Sequence, residues 1–381
     1  MPARRLSRAG AARGRVLVDA RPLQGGHRRR GIGTYTRQIL EALIAGGFDD
    51  RLALLVEPGR PPPELPQGEH AILPALHRQG NRSSCYRDAL LLGRTLRRLA
   101  PDCYHAVHPS LPLAAPVPVV VTVHDCIPWR LSGPAMRGER WRTWPERLLL
   151  PRATLALAVS QATAADLRRL AGIDAARVRV VAEGLDPEFR PREGAQARVA
   201  ARFGLAGPYL LHVGALDHRK DPQGLLRAWA AARAEAGDIP LVLAGELGAQ
   251  APSDLGGARR LGYVPTADLA DLLSAAGCCV VSSRYEGFGL PLLEAMGCGC
   301  PVAAYRNSSL TELVGDAGAL VADGDPVALG QAAARLARPG PAREAARTRG
   351  LARAAGFSWA GAARATIAAY DAVVASCGAG A

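Results

Sequence analysis

The chain has 381 residues, 49% hydrophobic and 21% charged, which suits two globular domains and excludes a disordered or fibrous protein. It carries 47 Lys and Arg against 34 Asp and Glu, a net charge of +13. No apolar run approaches the ~20 residues that cross a bilayer. Residues 1–15 lack the apolar core of a signal peptide. We therefore expect a cytoplasmic protein.

The excess positive charge lies in the first half of the chain. Residues 1–190 hold 29 basic and 17 acidic side chains, whereas residues 192–381 hold 18 and 17. Lys220 is the only lysine, and the other 46 basic residues are arginines. A basic half favours nucleic acid, an anionic membrane surface or a phosphorylated substrate as partner. The alternative is a solvated, arginine-rich surface. We find no zinc-finger spacing, RNA-binding signature or heptad repeat.

Short apolar runs alternate with helical stretches along the chain. The runs are rich in Val and Leu and mostly lack strict alternation, which is typical of parallel strands covered on both faces. They predict strands at 16–18, 117–123, 155–159, 209–213, 241–244, 278–281 and 302–304. Helices are predicted at 34–45, 88–99, 162–171, 225–236, 268–275, 290–296, within 326–355, and at 359–376. This order indicates two doubly wound α/β halves with ligand at the carboxyl ends of the strands.

Helix-capping residues, a Pro- and Gly-rich segment and the cysteines add to this outline. Ser160 and Gly172 are expected to cap the helix at 162–171. The Pro- and Gly-rich segment 184–208 is the best candidate for a linker between the halves. The eight cysteines follow no regular spacing, and we expect buried, reduced thiols. Cys298 and Cys300 alone supply too few ligands for a zinc site.

Two segments of the first half are candidates for chemistry. Gly31 and Gly33 follow the first strand at the start of a helix, a glycine turn that lets backbone approach a phosphate. The basic run 27–30 before them fits a mobile loop equally well. His124 and Asp125 end a buried strand, where ligands of parallel sheets bind. His124 could donate to a sugar hydroxyl or act as an acid or base. The alternative is a capped structural histidine.

A loop of the second half carries two adjacent cations. Arg219 and Lys220 follow the strand that ends at Gly214. A guanidinium offers a planar fork for phosphate oxygens, and an ammonium offers a compact charge. Solvated surface charge is the usual explanation of such a pair. The position of the single lysine at a strand end favours a specific anion ligand instead.

A second loop precedes a helix that begins near Leu290. Its small residues and Pro291 indicate a helix N-terminus with unpaired backbone N–H groups, which is suited to a phosphate or diphosphate. Glu286 precedes this loop and Glu294 lies about one turn into the helix. Carboxylates beside a phosphate site can accept hydrogen bonds from sugar or ribose hydroxyls. The alternative is a strand, turn and helix with two surface glutamates.

Taken in order, these segments resemble glycosyltransferase family 4, retaining enzymes of the GT-B fold. The most specific segment is Glu286-x7-Glu294, written EGFGLPLLE and followed by AMGCGCPV. The resemblance runs over roughly residues 16–375 and includes HVGALDHRKDP, LGYVP, SSLTELVGDAGALV, VTVHDCIPW and FSW. It implies two Rossmann-like doubly wound domains facing a central cleft, at 1–190 and 191–356. It also implies a C-terminal helix within 357–381 that crosses back to the first domain.

The resemblance implies roles for the candidate residues. Arg219 and Lys220 would hold the donor diphosphate and neutralise the leaving group. Glu286 would bind the donor sugar, Glu294 the ribose, and the backbone around Tyr263 and Val264 the base. The remaining donor contacts would come from the loop backbone and from the first domain: Gly287, Phe288, Gly289, Leu290, Gly31, Gly33 and His124. His124, Glu286, Arg219 and Lys220 are the predicted catalytic residues. Neither a metal nor a cofactor is expected, because cations and a helix end neutralise the diphosphate.

One position departs from the family. Ala215 stands where many members carry an arginine that holds phosphate, and Arg219 would take over that role. Likeness to the subgroup with an HRKDP-type loop implies transfer of mannose from GDP-mannose to a glycan or lipid-linked saccharide in cell-surface polysaccharide biosynthesis. One alternative is a UDP-sugar-dependent transferase that acts on a small molecule. Another is a non-catalytic, basic nucleic-acid-binding protein, although no nucleic-acid partner is expected.

Aromatic residues among arginines suggest a further partner. The segment 127–152 holds Trp129, Trp141 and Trp144 among six arginines, and the basic stretch 82–98 has an apolar side with Tyr86 and Leu90. Tryptophan beside cations is typical of contact with an anionic membrane surface. The alternative is a pair of solvated helices whose tryptophans pack inward. We predict peripheral docking on the inner face of the cytoplasmic membrane through the first domain.

Overall fold

The computed structural model describes residues 14–25, 31–68, 70–76, 84–131, 133–248 and 251–378. The chain divides into two compact units, Met1–Gly184 with Trp359–Ala381, and Leu185–Ser358. The first unit thus ends a few residues before the predicted boundary at 190, and the chain returns to it at Trp359.

The first unit contains a sheet of seven parallel strands in the order β3-β2-β1-β4-β5-β6-β7. The order reverses direction at β1, which pairs with both β2 and β4, as in a doubly wound fold. The strands are β1 Val16–Asp19, β2 Leu52–Val56, β3 Ala71–Pro74, β4 Cys103–Ala106, β5 Val119–Val123, β6 Leu155–Ala158 and β7 Val178–Val180.

Helices cover both faces of this sheet. One core packs α1 and α14 against one face through side chains such as Ile39 and Tyr370, and a second core packs α2 and α6 against the other through Leu96 and Leu167. As predicted, Ser160 caps α6 and Gly172 ends it in the left-handed region. The helices are α1 Gly31–Ala45, α2 Ser84–Leu99, α3 Ile127–Arg130, α4 Pro134–Arg142, α5 Trp144–Leu149, α6 Gln161–Ala171 and α14 Trp359–Gly378.

A buried ion cluster fastens α2 to the carboxyl end of β1. Arg21 is 1% exposed, and its guanidinium donates to Asp19 at 2.7 and 2.8 Å and to Asp88 of α2 at 2.8 and 3.1 Å. Tyr104 donates to Asp19 and Ser110 to Asp88. Each carboxylate is therefore hydrogen-bonded on both oxygens, which offsets much of the cost of burying charge.

The second unit contains six parallel strands in the order β10-β9-β8-β11-β12-β13. Its direction reverses between β8 and β11, so the crevice between their carboxyl ends is the expected ligand position. The strands are β8 Leu210–Val213, β9 Leu241–Ala244, β10 Arg259–Gly262, β11 Cys278–Val281, β12 Val302–Tyr305 and β13 Ala319–Val321. The helices are α7 Ala195–Phe203, α8 Pro222–Ala236, α9 Thr266–Ala275, α10 Leu290–Gly297, α11 Ser308–Val314, α12 Pro326–Ala337 and α13 Pro341–Ala354.

The segment 184–208, predicted to be a linker, is partly helical. It contains α7, which packs on α9 and buries Ala195 and Val199. Its prolines and glycines flank this helix and do not interrupt it. The cysteine prediction is confirmed in part: seven described cysteines are free and six of these are buried, but Cys377 is exposed.

Candidate active site

Two loops of the second unit meet at the crevice between β8 and β11. After β8 the chain turns at Gly214, whose φ of +115° is one that residues with a Cβ rarely adopt. Asp217 then caps the short helical turn His218–Lys220 by accepting hydrogen bonds from the backbone N–H groups of Arg219 and Lys220 at 3.0 and 3.3 Å. This cap fixes the backbone that carries both cations at the carboxyl end of the sheet.

Arg219, Lys220 and Glu286 form one ion cluster in this crevice. Lys220 Nζ lies 2.5 Å from Glu286 Oε1, and Arg219 donates to Oε2 at 3.1 Å. The Lys220 and Glu286 side chains are only 6% and 8% exposed. Ser283 also donates to Oε1 at 2.7 Å. Burial opposes the carboxylate charge, but the two cations outweigh it and lower the pKa of Glu286 to about 2.

Backbone contacts hold the two loops together. The Arg284 N–H donates to the carbonyl of Arg219 at 2.9 Å, and Ser282 Oγ donates to the carbonyl of Lys220 at 2.6 Å. At the start of α11, Ser308 Oγ accepts from the Glu286 N–H and Ser309 Oγ donates to the Glu286 carbonyl, both at 3.0 Å. Glu286 is therefore positioned through both its side chain and its backbone.

These supporting residues were not predicted as part of the site. Ser308 and Ser309 begin the SSLTELV segment that carried the family resemblance, so their position was recognisable but their role was not. Asp217 stands two residues before Arg219, a spacing that fits a cap on the loop. Such small polar side chains act here by hydrogen bonding to backbone, which a sequence pattern does not specify.

The loop after Glu286 leads directly into the N-terminus of α10. Gly287, Phe288 and Gly289 are buried, and Leu290 is the first helical residue. Gly289 has a φ of +105°, and a Cβ there would lie 3.0 and 3.1 Å from side-chain carbons of α11. The N-terminus of α10 therefore offers backbone N–H groups and a positive dipole end beside the cluster residue Glu286. Glu294 lies in the second turn of α10 and is partly exposed.

His212 lies beneath the cations in β8. It is 1% exposed, and its Nδ1 lies 3.0 Å from the carbonyl of Val280. Because a carbonyl only accepts, Nδ1 carries the proton of this hydrogen bond. Burial and the nearby Lys220 cation lower the pKa of His212 to about 4, so the ring is neutral near pH 7.

The other predicted donor residues lie elsewhere. Val264 is in the turn between β10 and α9, two strands from β8, and Tyr263 beside it is exposed. His124, Gly31 and Gly33 belong to the first unit. The two glycines form the first turn of α1, which begins three residues before its predicted start, with Gly31 exposed and Gly33 buried. The basic run 27–30 lies outside the described residues. The contribution of all these residues to donor binding stays a prediction.

His124 follows β5 and contacts three groups of its own unit. Its Nε2 lies 2.9 Å from the carbonyl of Val107 and its Nδ1 lies 3.2 Å from Glu183 Oε1. The ring also meets the ring of Tyr35 edge-on, with centroids 4.6 Å apart. Both ring nitrogens are therefore hydrogen-bonded within the first unit.

The aromatic residues predicted to face a membrane divide into two groups. Trp141 and Trp144 are 75% and 49% exposed. Trp129 is only 8% exposed and donates from Nε1 to Thr143 Oγ1 at 3.1 Å. The expectation for Trp129 was therefore wrong, because its indole N–H finds a buried partner and its ring joins the core of the first unit.

Comparison with known proteins matches both units to glycosyltransferases. Residues 29–189 match the model of Glycosyltransferase Family 4, and residues 207–338 match that of Glycosyl transferases group 1. The chain is 36% identical to the O-antigen chain mannosyltransferase B of Escherichia coli over 233 residues, 58% of this chain and 61% of that protein. It is 37% identical to the D-inositol 3-phosphate glycosyltransferase of Frankia alni over 224 residues, 52% and 53% of the two chains.

Solved structures match the fold across nearly the whole chain. The sucrose-phosphate synthase of Thermosynechococcus elongatus superposes with a TM-score of 0.76 at 22% sequence identity, covering 96% of this chain and 100% of that one. The chain therefore consists of two glycosyltransferase-family domains with the GT-B fold. The curated relatives above are matched over only about half to three-fifths of their length.

Proposed function

Since both domains of this chain are glycosyltransferase-family domains in a GT-B fold, we propose that the protein is a retaining, metal-independent glycosyltransferase. Its donor is a nucleotide-sugar, GDP-mannose, and its acceptor a glycan or lipid-linked saccharide in cell-surface polysaccharide biosynthesis. The observation that carries this proposal is the ion cluster of Arg219, Lys220 and Glu286 at the β8–β11 crevice, adjoining the N-terminus of α10. This arrangement offers cations and backbone N–H groups to a diphosphate.

The proposed reaction exchanges one glycosidic bond for another. The bond from the sugar C1 to the diphosphate oxygen breaks, and a bond from C1 to an acceptor hydroxyl oxygen forms on the same face. The acceptor proton passes to the departing diphosphate oxygen. Arg219, Lys220 and the N–H groups of α10 stabilise the charge that develops on the leaving group. Glu286 accepts hydrogen bonds from the sugar hydroxyls, and Glu294 from the ribose.

Donor identity separates the proposal from its alternative. The mannosyl donor is supported by the mannosyltransferase name of the first relative and by the HRKDP segment. The second relative acts by name on D-inositol 3-phosphate, which favours a small polar acceptor as a second candidate. We would incubate the enzyme with GDP-mannose, UDP-glucose and UDP-N-acetylglucosamine, each with saccharide and inositol phosphate acceptors, and measure nucleoside diphosphate release. Release of GDP with a saccharide acceptor supports the proposal, and release of UDP alone overturns the donor assignment.

We further propose that the first unit docks on an anionic membrane surface, with the protein otherwise cytoplasmic. Eight of the ten exposed large hydrophobic side chains among the described residues lie in the first unit. Five of them form what we call the aromatic face, on α2, α4 and α5: Tyr86, Leu90, Trp141, Trp144 and Leu148. The Tyr86 hydroxyl donates to the backbone carbonyl of Trp141, which joins α2 to α4.

Charge on the same helices complements anionic lipid. Exposed arginines accompany the aromatic face, on α2 and α4: Arg94, Arg97, Arg98, Arg137 and Arg140. Interfacial tryptophan and nearby cations act together at headgroups. None of the helices in the described ranges has the length and apolarity needed to cross a bilayer. An interaction through this face would therefore be peripheral.

Vesicle co-sedimentation tests the docking proposal. We expect the chain to pellet with vesicles containing anionic lipid at low salt, and to release them as salt rises. Trp141→Ser should weaken binding, while Val327→Ser, which removes an exposed apolar side chain of the second unit, should not. No binding at low salt, or equal loss in both variants, would overturn the proposal.

A further inference from the structure

The His124 ring is held on three sides within the first unit. The Val107 carbonyl faces Nε2, the Glu183 carboxylate faces Nδ1, and the Tyr35 ring meets the imidazole at an interplanar angle of 80°. The side chains of His124 and Glu183 are 15% and 5% exposed. The ring cannot rotate about its side-chain bonds without losing one of these contacts, so its orientation is built into the unit.

Tyr35 is itself fixed by a buried chain of hydrogen bonds. Its hydroxyl lies 3.0 Å from Thr122 Oγ1, which lies 2.9 Å from Nε2 of His105. His105 Nδ1 lies 2.6 Å from the hydroxyl of Tyr370 in α14. All four side chains are at most 2% exposed. We call Tyr35, Thr122, His105 and Tyr370 the relay chain, which joins α1, β5, β4 and α14 in series.

The relay chain is uncharged near neutral pH. Burial lowers the pKa of His105 to about 3 and raises the pKa of Tyr35. Neutral hydroxyls and imidazoles buried in this way hold one another in a fixed arrangement. If a partner moved, each would be left buried without a hydrogen bond, which is unfavourable. Trp359, at the start of α14, also packs its ring edge-on to Tyr35 at 5.7 Å. Helix α14 therefore contacts Tyr35 directly through Trp359 and is linked to it indirectly from Tyr370 through His105 and Thr122.

We infer that Glu183 and Tyr35 are positioning residues for His124, and that α14 acts on His124 through the relay chain. This inference rests on the proposed function and on the predicted role of His124 as a donor contact. Glu183 is the penultimate residue of the first segment of its unit, immediately before the chain leaves for the second. It carries no apolar periodicity or motif signal, so the sequence does not single it out. Because Glu183 lies opposite Nδ1 of His124, we expect it to act by orienting the ring and not by contacting substrate.

Steady-state kinetics test this role. Glu183→Ala should lower kcat about 10- to 100-fold, the range expected when a reacting group is misplaced by about 1 Å, with the donor KM within about twofold. Glu183→Gln keeps a polar group of the same size opposite Nδ1, one that can either donate or accept the hydrogen bond, and should recover most of the activity. Because Glu183 acts through His124, adding Glu183→Ala to His124→Ala should cause no further loss. Additive losses in the double variant would overturn the inference.

A spectroscopic readout keeps the test independent of activity. In the full chain with ¹⁵N-labelled histidine, His124 ring signals can be assigned by their absence in His124→Ala. We expect these signals to shift and broaden in Glu183→Ala and in Tyr35→Leu, and to stay near their wild-type positions in Glu183→Gln. Unchanged His124 signals in Glu183→Ala would overturn the inference. If the wild-type chain uses no nucleotide-sugar, the proposed function fails, while these ring signals still decide whether Glu183 positions His124.

Discussion

Replacing Lys220 by Met tests the ion cluster quantitatively. The pKa of Glu286 falls from its ordinary value of 4.5 to about 2 in the folded chain. At about 1.4 kcal/mol per pKa unit, this shift corresponds to about 3 kcal/mol of stability near pH 7. Lys220 is nearer to Glu286 and less exposed than Arg219, at 6% against 28%. We therefore expect Lys220→Met to cost the second unit about 2–3 kcal/mol, mainly by leaving a buried carboxylate with one cation fewer.

Hydrogen exchange measured by mass spectrometry on β8 and β11 peptides follows the second unit separately from the first. The double variant Lys220→Met with Glu286→Gln should recover part of the loss, because it removes the uncompensated charge. Since the folded pKa of Glu286 is depressed, its contribution is present above pH 4.5 and is lost as the pH falls through about 2. The gap between wild type and Lys220→Met should therefore be smaller at pH 3.5 than at pH 7. A loss below about 1 kcal/mol at pH 7, or a gap independent of pH, would refute this account of the cluster.

Three further predictions concern other parts of the molecule. Arg21→Met leaves two buried carboxylates facing each other, so denaturant unfolding should show a loss of about 3–5 kcal/mol in the first unit, and an unchanged midpoint would contradict the buried cluster. His105 has a folded pKa of about 3, so the first unit should lose about 2 kcal/mol between pH 6.5 and pH 5, and His105→Asn should flatten that dependence. In Gly289→Val the valine would adopt an unfavourable positive φ and its side chain would crowd α11, so nucleotide binding measured by calorimetry should weaken. Gly324→Ala, where φ is +75° and the space around it is open, should bind nucleotide normally.

The sequence predicts the central framework of the fold well but misses six of the thirteen described strands, among them the buried, Leu-rich β2 (LALLV). All seven predicted strands are present, because continuous Val- and Leu-rich runs are what a doubly covered parallel sheet requires. The missed strands include β7 (VRV) and β10 (RRLG), which lie at sheet edges and are only partly buried. An edge strand needs no apolar run, since one side of it faces solvent. Strand β4 was missed because its buried His105 and Tyr104 are satisfied by hydrogen bonds that sequence does not reveal.

The candidate site was also predicted only in part: its charged residues were predicted from the sequence, and the residues that support them were not. Glu286 lies 66 residues after Lys220 and 67 after Arg219, yet the strand-end positions predicted from sequence bring it into contact with both cations. Ser283, Ser308 and Asp217 hold them in place through short polar side chains, whose hydrogen bonds a sequence pattern does not specify. The structure also locates part of the net charge of +13. Arginines accompany the aromatic face of the first unit, whereas the single lysine belongs to the ion cluster of the second.

Calorimetric titration of nucleoside diphosphates shows whether Lys220 belongs to a diphosphate site. GDP and UDP would be titrated into the wild-type chain, Lys220→Met and the control Arg335→Met, which removes an exposed cation of the same unit. We expect wild type and Arg335→Met to bind GDP in preference to UDP, and Lys220→Met to bind at least about tenfold more weakly, a change of about 1.4 kcal/mol. Equal affinity in all three proteins, or no nucleotide binding by the wild type, would contradict the donor site described here.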